Sequence, residues 1–241
     1  MNFLFEILFE DADLLVVNKP AGLVCHPTKG DEYSSLISRA RLYQPGGSLH
    51  LVNRLDRETS GVLVIAKNSA AAGELGKSWE SRAVEKEYLA LVHGWPAADT
   101  GVLDGPLGKD LNSTVAVKDC VRPDGAPSVT AYTVERRFMR EGKPFARVRV
   151  QPRTGRKHQI RIHLAQAGHP IVGDKIYGGD EDCYLALVQD RLTEAHRARL
   201  LLANQALHAV TLRFPWRGEM REFTCAPEKE FTEFAAAGEP G

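Results

Sequence analysis

Cysteines and long apolar runs are both scarce in this chain. Only four cysteines occur among the 241 residues, and none forms a CxxC pair, so the sequence indicates neither a zinc site nor a dense disulfide scaffold. No apolar run approaches the roughly 18 residues that a membrane-spanning helix needs. The first residues, MNFLFEILFEDADLL, carry acidic groups where a secretory signal would carry Lys or Arg. A cytoplasmic location is therefore expected, with no membrane as a partner.

An excess of charge of one sign is also lacking. The 31 basic and 31 acidic side chains cancel to a formal net charge of +0, which argues against a protein that coats nucleic acid without discrimination. The charges are nevertheless uneven, because ten basic residues lie between Arg136 and Arg161 with only Glu141 opposing them. Such a stretch can hold a polyanion in a groove, or it can be a solvated strand and helix face, and the pattern does not choose between the two.

Short β-branched, aromatic and apolar runs dominate the chain and predict strands. The predicted strands cover residues 3–9, 14–17, 49–52, 62–66, 87–92, 128–134, 145–151, 207–214 and 221–225. Apolar residues at helical spacing predict helices over 34–43, 69–82 and 158–167. Residues 182–204 are predicted as a helical insertion. The tail from Glu228 is expected to form one or two helical turns and to end in a loose AAAGEPG.

Many strands with scattered helices predict an α+β fold with a mostly antiparallel sheet. Neither a Pro/Ser-rich linker nor an internal repeat divides the chain. We therefore expect a single catalytic domain over residues 1–241, with a core at about 5–226 and the insertion at 182–204. A bilobed sheet with a central cleft fits the same pattern.

The polar segment NRLDRETSG, residues 53–61, lies between two predicted strands, where rigid neighbours commonly hold catalytic groups. Asp56 stands between Arg54 and Arg57, and a nearby positive charge favours an ionised carboxylate. An ionised carboxylate in a closed pocket can act as a nucleophile or a base. Spacing alone favours the alternative, a hairpin loop whose Asp and Arg pair on the surface.

The segment RTGRKHQIRIH, residues 153–163, runs from a predicted strand through a turn into a predicted helix. Basic side chains and free N–H groups at a helix start form an anion site. Arg161 lies one turn into this helix, beside its apolar face, and a buried guanidinium needs a carboxylate partner, for which Asp56 is the candidate. The side chains predicted to contact an anion are Arg153, Arg156, Lys157 and His158.

The segment EKEYLALVHG, residues 85–94, places Tyr88 in a strand between charged residues. A tyrosine there can stack on a nucleobase or serve as a general base. Taken alone, Tyr88 is more often an ordinary strand aromatic.

In chain order, the segments NRLDRETSG, EKEYLALVHG and GRKHQIRIHLAQAGHPIVGDKIYG resemble the three signature segments of the RluA-type pseudouridine synthases. VVNKPAGLVCHP upstream and QALHAVTLRFPW downstream are also similar to segments of that family. The resemblance runs from about residue 5 to residue 223. The elements RLD-x-x-TSG and HQIR-x-H-x-x-x-x-GHP-x-x-GD are specific together.

The resemblance implies a curved, mixed and mostly antiparallel sheet with flanking helices and a central RNA-binding cleft. It makes Asp56 the catalytic nucleophile, Tyr88 the active-site tyrosine that stacks on the target base, and Arg161 the basic residue that pairs with the aspartate. Arg54 matches an arginine that can fill the space left by a flipped base, and Arg57 is expected to contact RNA beside it. No metal or other cofactor is implied.

Two features depart from some relatives. Asn53 stands where the family usually has His, which puts RNA contacts near Asp56 in doubt. The chain is also expected to be a form without the small N-terminal RNA-binding domain that some relatives carry, and to act as a monomer.

The function predicted from the sequence is isomerisation of specific uridines in transfer RNA, ribosomal RNA or both, with each target uridine flipped out of its helix. One alternative is a non-catalytic RNA-binding module of the same fold. The other is a hydrolase built on His158, His163, His169 and Asp174, although their spacing matches no metal-ligand motif.

Overall fold

Strands make up most of the regular structure in the computed structural model, which describes residues 5–27, 34–179 and 181–241. The strands are β1 (Glu6–Glu10), β2 (Leu14–Lys19), β3 (His50–Leu51), β4 (Ser60–Ala66), β5 (Glu85–His93), β6 (Thr100–Asp104), β7 (Leu107–Lys109), β8 (Asp119–Val121), β9 (Val129–Arg140), β10 (Lys143–Pro152), β11 (Leu207–Trp216), β12 (Glu219–Thr224) and β13 (Glu239–Pro240). The helices are α1 (Leu36–Tyr43), α2 (Ser69–Glu80), α3 (Gln159–Gln166), α4 (Asp182–Val188), α5 (Glu194–Leu200) and α6 (Lys229–Ala236).

The chain divides into two compact units. Unit 1 comprises Met1–Tyr88 and His208–Glu228, and unit 2 comprises Leu89–Leu207 and Lys229–Gly241. The chain therefore passes from one unit to the other within β5, at the start of β11 and just before α6. The prediction of a single catalytic domain, with a bilobed arrangement as its alternative, stays a prediction.

In unit 1, β2 pairs with both β1 and β4, and all of these pairings are antiparallel. The short strand β3 also pairs antiparallel with β4, and β12 pairs antiparallel with β11. One parallel contact joins β4 to β11, where Ser60 lies opposite His208 and Gly61 opposite Ala209. The sheet of this unit is therefore mixed but mostly antiparallel.

The two faces of this sheet are both buried, which explains why β2 and β4 are apolar without interruption. Alternate residues of a strand point to opposite faces. On the α1 face, Leu15, Val17, Leu63 and Ile65 form one cluster with Leu36, Ile37 and Ala40 of α1. On the α2 face, Leu14, Val16, Val62 and Val64 form a second cluster with Ala71 and Leu75 of α2. Each helix of unit 1 thus covers one side of the same strands.

Polar caps fix where these two helices begin. The Ser35 hydroxyl accepts a hydrogen bond from the Ser38 N–H at 3.3 Å, and the Leu36 N–H donates to the Val24 carbonyl at 2.8 Å. Asn68 accepts from the Ala71 N–H at 2.9 Å. Such caps satisfy N–H groups that have no partner within the helix.

Unit 2 is built around the long β9–β10 hairpin. β6 and β13 pair antiparallel with the two ends of β9. Helix α3 is attached to the start of β9 by Gln159, whose amide donates to the Val129 carbonyl and to the Thr130 hydroxyl, both at 3.0 Å. The separate β7–β8 hairpin is linked to the start of α4 by Glu181, which accepts from Ser113 and Lys118 of the hairpin loop at 2.6 Å each.

The α+β class with a mostly antiparallel sheet is confirmed, and each predicted strand corresponds to an observed one. The first residues of the predicted strand 3–9 lie outside the described residues. The predicted insertion at 182–204 consists of two short helices, α4 and α5. The short strands β6, β7, β8 and β13 were not predicted. The curvature of the sheet and the central cleft stay predictions.

The expectation of a loose AAAGEPG tail was wrong. Ala235 and Ala236 end α6, and Glu239–Pro240 form β13 on the edge of β9. Arg136 donates to the carbonyls of Ala235 at 3.0 Å and Gly238 at 2.7 Å. Arginines from a distant strand thus bind carbonyl groups that the end of a helix leaves unpaired, and no local pattern in the tail could reveal them.

Candidate active site

The predicted loop containing Asp56 connects β3 to β4. Its backbone turns sharply, since the Thr59 N–H donates to the Asp56 carbonyl at 3.2 Å. Leu55 is buried, Asp56 is half-buried, and Arg54 and Arg57 are exposed. The carboxylate therefore lies at the edge of the core, while the two neighbouring guanidinium groups reach solvent.

Cys25 holds the backbone immediately before Asp56. Its sulfur accepts from the Leu55 N–H at 3.4 Å, and its thiol donates to the Leu55 carbonyl at 3.3 Å. Burial raises the pKa of Cys25, so the thiol stays protonated and able to donate. Both bonds fix the position of the residue that precedes the carboxylate.

Lys19 holds the backbone immediately after Asp56. This lysine is completely buried, and its Nζ donates to the carbonyls of Pro20 and Leu23 at 2.8 Å and of Arg57 at 3.1 Å. Burial lowers the pKa of Lys19 to about 8, against the opposing effect of negative charges that include Glu228 and Asp56. The ammonium group thus ties the turn at residues 20–23 to the Asp56 loop.

The far end of the loop is fixed by His208. Its Nδ1 is 2.8 Å from the Ser60 hydroxyl, and its Nε2 is 3.1 Å from the Cys225 carbonyl. Burial lowers the pKa of His208, which favours a neutral ring. Gly61 has φ +117°, and a Cβ there would lie 2.2 Å from the Ala209 carbonyl oxygen, so only glycine allows β4 and β11 to approach this closely.

Tyr88 lies in β5 and packs against the cluster on the α1 face, the same cluster that contains Leu55 and Cys25. Burial raises the pKa of Tyr88, and the negative charge of Asp56 raises it further. The structure therefore places Tyr88 close to Asp56. A phenol that keeps its proton can stack on a base or donate a hydrogen bond, but it is a poor base at neutral pH.

Arg161 lies in unit 2, where its partner is Asp174. Nε is 2.6 Å from Oδ2 and Nη2 is 2.9 Å from Oδ1, and both side chains are buried. Burial acts to raise the pKa of Asp174, but Arg161 and the N–H groups of Tyr177 and Ile176 outweigh it, so the pKa lies below its usual value. The guanidinium also stacks 5.1 Å from the centre of the Tyr177 ring.

The sequence analysis missed Asp174 as a partner of Arg161. A buried guanidinium needs a carboxylate partner, which could have pointed to Asp174. The sequence analysis instead predicted Asp56 as the partner of Arg161. The pairing of Arg161 with Asp56 stays a prediction, since the two residues belong to different units.

The basic run between Arg136 and Arg161 contains many side chains with internal partners. Arg147 and Arg149 share Glu135, at 2.9 and 2.7 Å. Arg136, Arg137 and Arg140 bind carbonyl groups or Asp99 within unit 2. Much of the run is therefore structural.

The predicted RNA contacts at the end of this run differ in exposure. Arg153, Arg156 and Lys157 are exposed, and Lys157 pairs with Asp119 at 2.8 Å. His158 is half-buried, and its Nδ1 is 3.0 Å from the Tyr177 hydroxyl. Of the four, Arg153 and Arg156 present the most accessible charge.

The four side chains proposed for a metal hydrolase are engaged elsewhere. His163 lies 2.8 Å from the Thr130 hydroxyl and 2.9 Å from the Gly105 carbonyl, and His169 lies 3.1 Å from the His93 carbonyl. His158 and Asp174 bind Tyr177 and Arg161, as described above. Within residues 5–27, 34–179 and 181–241, three or more His, Cys, Asp or Glu side chains nowhere gather as they would around a metal ion. The described residues also contain no helix long and apolar enough to cross a membrane.

Comparison with known proteins defines the class to which this fold and loop belong. A family model described as RNA pseudouridylate synthase matches residues 13–166. The human RNA Pseudouridylate Synthase Domain Containing 1 structure is similar with a TM-score of 0.77 and 29% identity, over 98% of this chain and 89% of that chain. The corresponding human Domain Containing 4 structure gives a TM-score of 0.74 and 29% identity, over 96% and 92%.

Two curated relatives extend the comparison. A ribosomal large subunit pseudouridine synthase D from Yersinia pestis is 33% identical over 96% of this chain and 70% of its own length. An uncharacterized RNA pseudouridine synthase of Mycoplasma genitalium is 37% identical over 73% of this chain, and the match spans only 56% of that relative. The chain belongs to the RNA pseudouridylate synthase family. This confirms the predicted family and the predicted class of activity, an isomerase acting on RNA.

The buried pair of Arg161 and Asp174 allows a test of its contribution to stability. Asp174→Asn should lower the free energy of unfolding by about 3–5 kcal/mol, because the buried guanidinium of Arg161 loses the charged carboxylate that accepts two of its hydrogen bonds. Urea denaturation would measure the loss. The matched control is Asp99→Asn, which removes the exposed partner of Arg137 and should cost less than about 1 kcal/mol. Equal losses in the two variants would contradict a special role for the buried pair.

Lys19 allows a second test. Lys19→Met should lower the free energy of unfolding by about 2–4 kcal/mol, because three carbonyl groups lose their donor. The pKa of Lys19 is about 8 in the folded chain against 10.5 for a free lysine, so between these pH values the unfolded chain binds more protons. The parent should gain stability as pH rises through this window, and Lys19→Met should not.

Urea denaturation from pH 7 to 10.5 would follow that difference. Lys77→Met, at an exposed position of α2, is the control and should change stability by less than about 0.5 kcal/mol. If the difference in unfolding free energy between the parent and Lys19→Met became smaller as the pH rises, the buried lysine would not titrate as described.

Proposed function

We propose that this chain converts specific uridines of RNA to pseudouridine with Asp56 as the nucleophile. The observation that carries the proposal is the immobilisation of the Asp56 loop. Cys25 binds the residue before the carboxylate, Lys19 binds the residue after it, and His208 binds the end of the loop. A carboxylate held so firmly is preorganised for attack, because little motion must be frozen out when the substrate binds.

The reaction needs a uridine that has left its helix, at a cost of a few kcal/mol for unstacking and unpairing. Asp56 then attacks the anomeric carbon of the ribose or acts by a related path. The bond between this carbon and the uracil breaks, and the detached uracil stays bound to the protein. The ring rotates, and its carbon five bonds to the anomeric carbon while the bond from that carbon to Asp56 breaks. Carbon five then loses its proton, and N1 takes one up from solvent. The raised pKa of Tyr88 favours stacking on the rotating ring over removal of that proton.

The Asp56 loop presents its exposed residues as the first contacts for the substrate. Arg54 and Arg57 lie on either side of the Leu55–Asp56 pair and reach solvent. Guanidinium groups bind phosphates with two parallel hydrogen bonds. Arg54 is also suited to fill the gap that the flipped base leaves, as expected from the family resemblance. The side chain of Asn53 binds the backbone of β4, where its Oδ1 accepts from the Val64 N–H at 3.4 Å.

We further propose that the substrate is ribosomal RNA of the large subunit. The support is the Yersinia pestis relative, a ribosomal large subunit pseudouridine synthase D, whose similarity spans nearly this whole chain. Transfer RNA is the other substrate expected from the sequence. The cytoplasmic location and the monomeric state stay predictions.

Asp56→Asn should reduce pseudouridine formation to less than about one-thousandth of the parent rate, because an amide cannot replace the nucleophile. Tritium release from RNA labelled at carbon five of uridine would measure the loss. Glu58→Gln removes the same charge two residues away in the same loop and should keep substantial activity. Turnover by Asp56→Asn at a rate near that of the parent would remove Asp56 from the chemistry.

The substrate proposal has its own test. Unmodified transcripts of large-subunit ribosomal RNA and a pool of unmodified transfer RNAs would be incubated separately with the protein. Tritium release is expected from the ribosomal transcript, followed by mapping of the modified position. Release from transfer RNA alone would contradict the choice of ribosomal RNA and leave the isomerase activity intact.

A further inference from the structure

An exposed histidine and an exposed arginine flank the bonds that hold the Asp56 loop. His26 follows Cys25 and Arg54 precedes Leu55, and Cys25 and Leu55 are joined by two hydrogen bonds. Both flanking residues are exposed. The buried contact therefore brings His26 and Arg54 to the same part of the surface of unit 1.

The third residue of this group is Arg41, in the last turn of α1. The Ile37 N–H donates to the Cys25 carbonyl at 3.2 Å, so the start of this helix lies against the same segment. Arg41 follows Ile37 by four residues, which places both on one side of the helix. Ile37 is buried and Arg41 is exposed. The helix is short, and its last turn thus holds a guanidinium beside His26.

The pKa of His26 agrees with this placement. Partial loss of solvent lowers the pKa of His26, and the positive charges of Arg54 and Arg41 lower it further. Among residues 5–27, 34–179 and 181–241, Arg41 and Arg54 form no ion pair. The arginines of β9 and β10 differ in this respect, since Glu135, Asp99 or backbone carbonyls bind them.

We propose that His26, Arg41 and Arg54 bind phosphate groups of the RNA strand that carries the target uridine. This group of three residues, called here the α1 cationic cluster, lies beside the α1-face core, which contains Cys25, Leu55 and Tyr88. A backbone phosphate held there would keep the strand beside the carboxylate after the uridine has flipped. The inference rests on the proposed function, and it adds His26 and Arg41 to the RNA contacts that the sequence predicted.

Phosphate is the ligand that this arrangement fits best. Two guanidinium groups offer paired donors that match phosphate oxygens, and an imidazole can donate one more hydrogen bond. Contacts to phosphate position a strand without reading its sequence. We therefore expect the cluster to contribute to affinity and to its salt dependence.

The test measures RNA binding by the Asp56→Asn protein, which avoids turnover during the experiment. Filter binding of a large-subunit ribosomal transcript, and in parallel of a transfer RNA transcript, would be followed between about 50 and 300 mM KCl. Arg41→Gln and His26→Gln would be added to this parent one at a time. Arg41→Lys tests whether a positive charge alone restores binding, and Arg41→Glu tests the effect of repulsion.

The matched control is Lys77→Gln in the same parent. Lys77 is exposed and lies in α2, which covers the opposite face of the unit 1 sheet. The Lys77→Gln substitution removes one positive charge from the same unit and should leave both the affinity for RNA and its salt dependence unchanged. Melting temperatures of all variants would show that each protein is folded.

Arg41→Gln should weaken binding roughly three- to tenfold near 150 mM salt and should reduce the slope of log K against log salt by about 1. Arg41→Glu should weaken binding more, and Arg41→Lys should recover most of the loss. An unchanged slope for Arg41→Gln, or an equal loss in Lys77→Gln, would overturn the α1 cationic cluster. Failure of the proposed function would appear separately, as absence of turnover in the protein with Asp56 intact.

Discussion

The ammonium group of Lys19 connects the two segments on which the candidate site depends. It is buried where no water can bind it, and three backbone carbonyls replace that water. Such a charge is costly to bury unless every donor has a partner, so the turn at residues 20–23 and the Asp56 loop must both keep their shape. Cys25 and His208 add uncharged contacts at neighbouring points. The result is a half-buried carboxylate whose backbone cannot shift independently of the sheet that supports it.

Much of the unit 1 architecture could be predicted because its signals are local. The continuous apolar runs at residues 14–17 of β2 and 62–66 of β4, and the polar loop before β4, can all be seen in short windows of sequence. The residues that support the loop could not be predicted in this way. A lysine at the end of an apolar strand looks like a surface residue, and its partner Arg57 lies 38 positions away. The same limit explains why Asp174 was missed as the partner of Arg161 and why β6, β7 and β8, which are only three to five residues long, escaped the pattern search.

The charges of this protein fall into two groups that the sequence cannot distinguish. Arg136, Arg147 and Arg149 look like an RNA-binding run, but they bind a carboxylate or the carbonyls of the C-terminal segment. Arg41 and Arg54 lie in separate segments outside that run, but Cys25 contacts both α1, at Ile37, and Leu55, so both segments lie against the same residue. Net charge near zero is compatible with both groups, because an internally paired arginine contributes little field at the surface. A count of basic residues along the chain is therefore a poor guide to where RNA binds.

The contact between Ser60 and His208 spans 148 positions of sequence, and this has a consequence for synthesis of the chain. A ribosome adds roughly 5–20 residues per second, so the nascent Asp56 loop waits about 7–30 seconds for the histidine that secures its end. Unit 1 is interrupted by most of unit 2, and unit 2 in turn needs the final residues. Neither unit can complete its fold before nearly the whole polypeptide has emerged. Premature termination anywhere upstream of β11 would leave the Asp56 loop without the histidine that fixes its end.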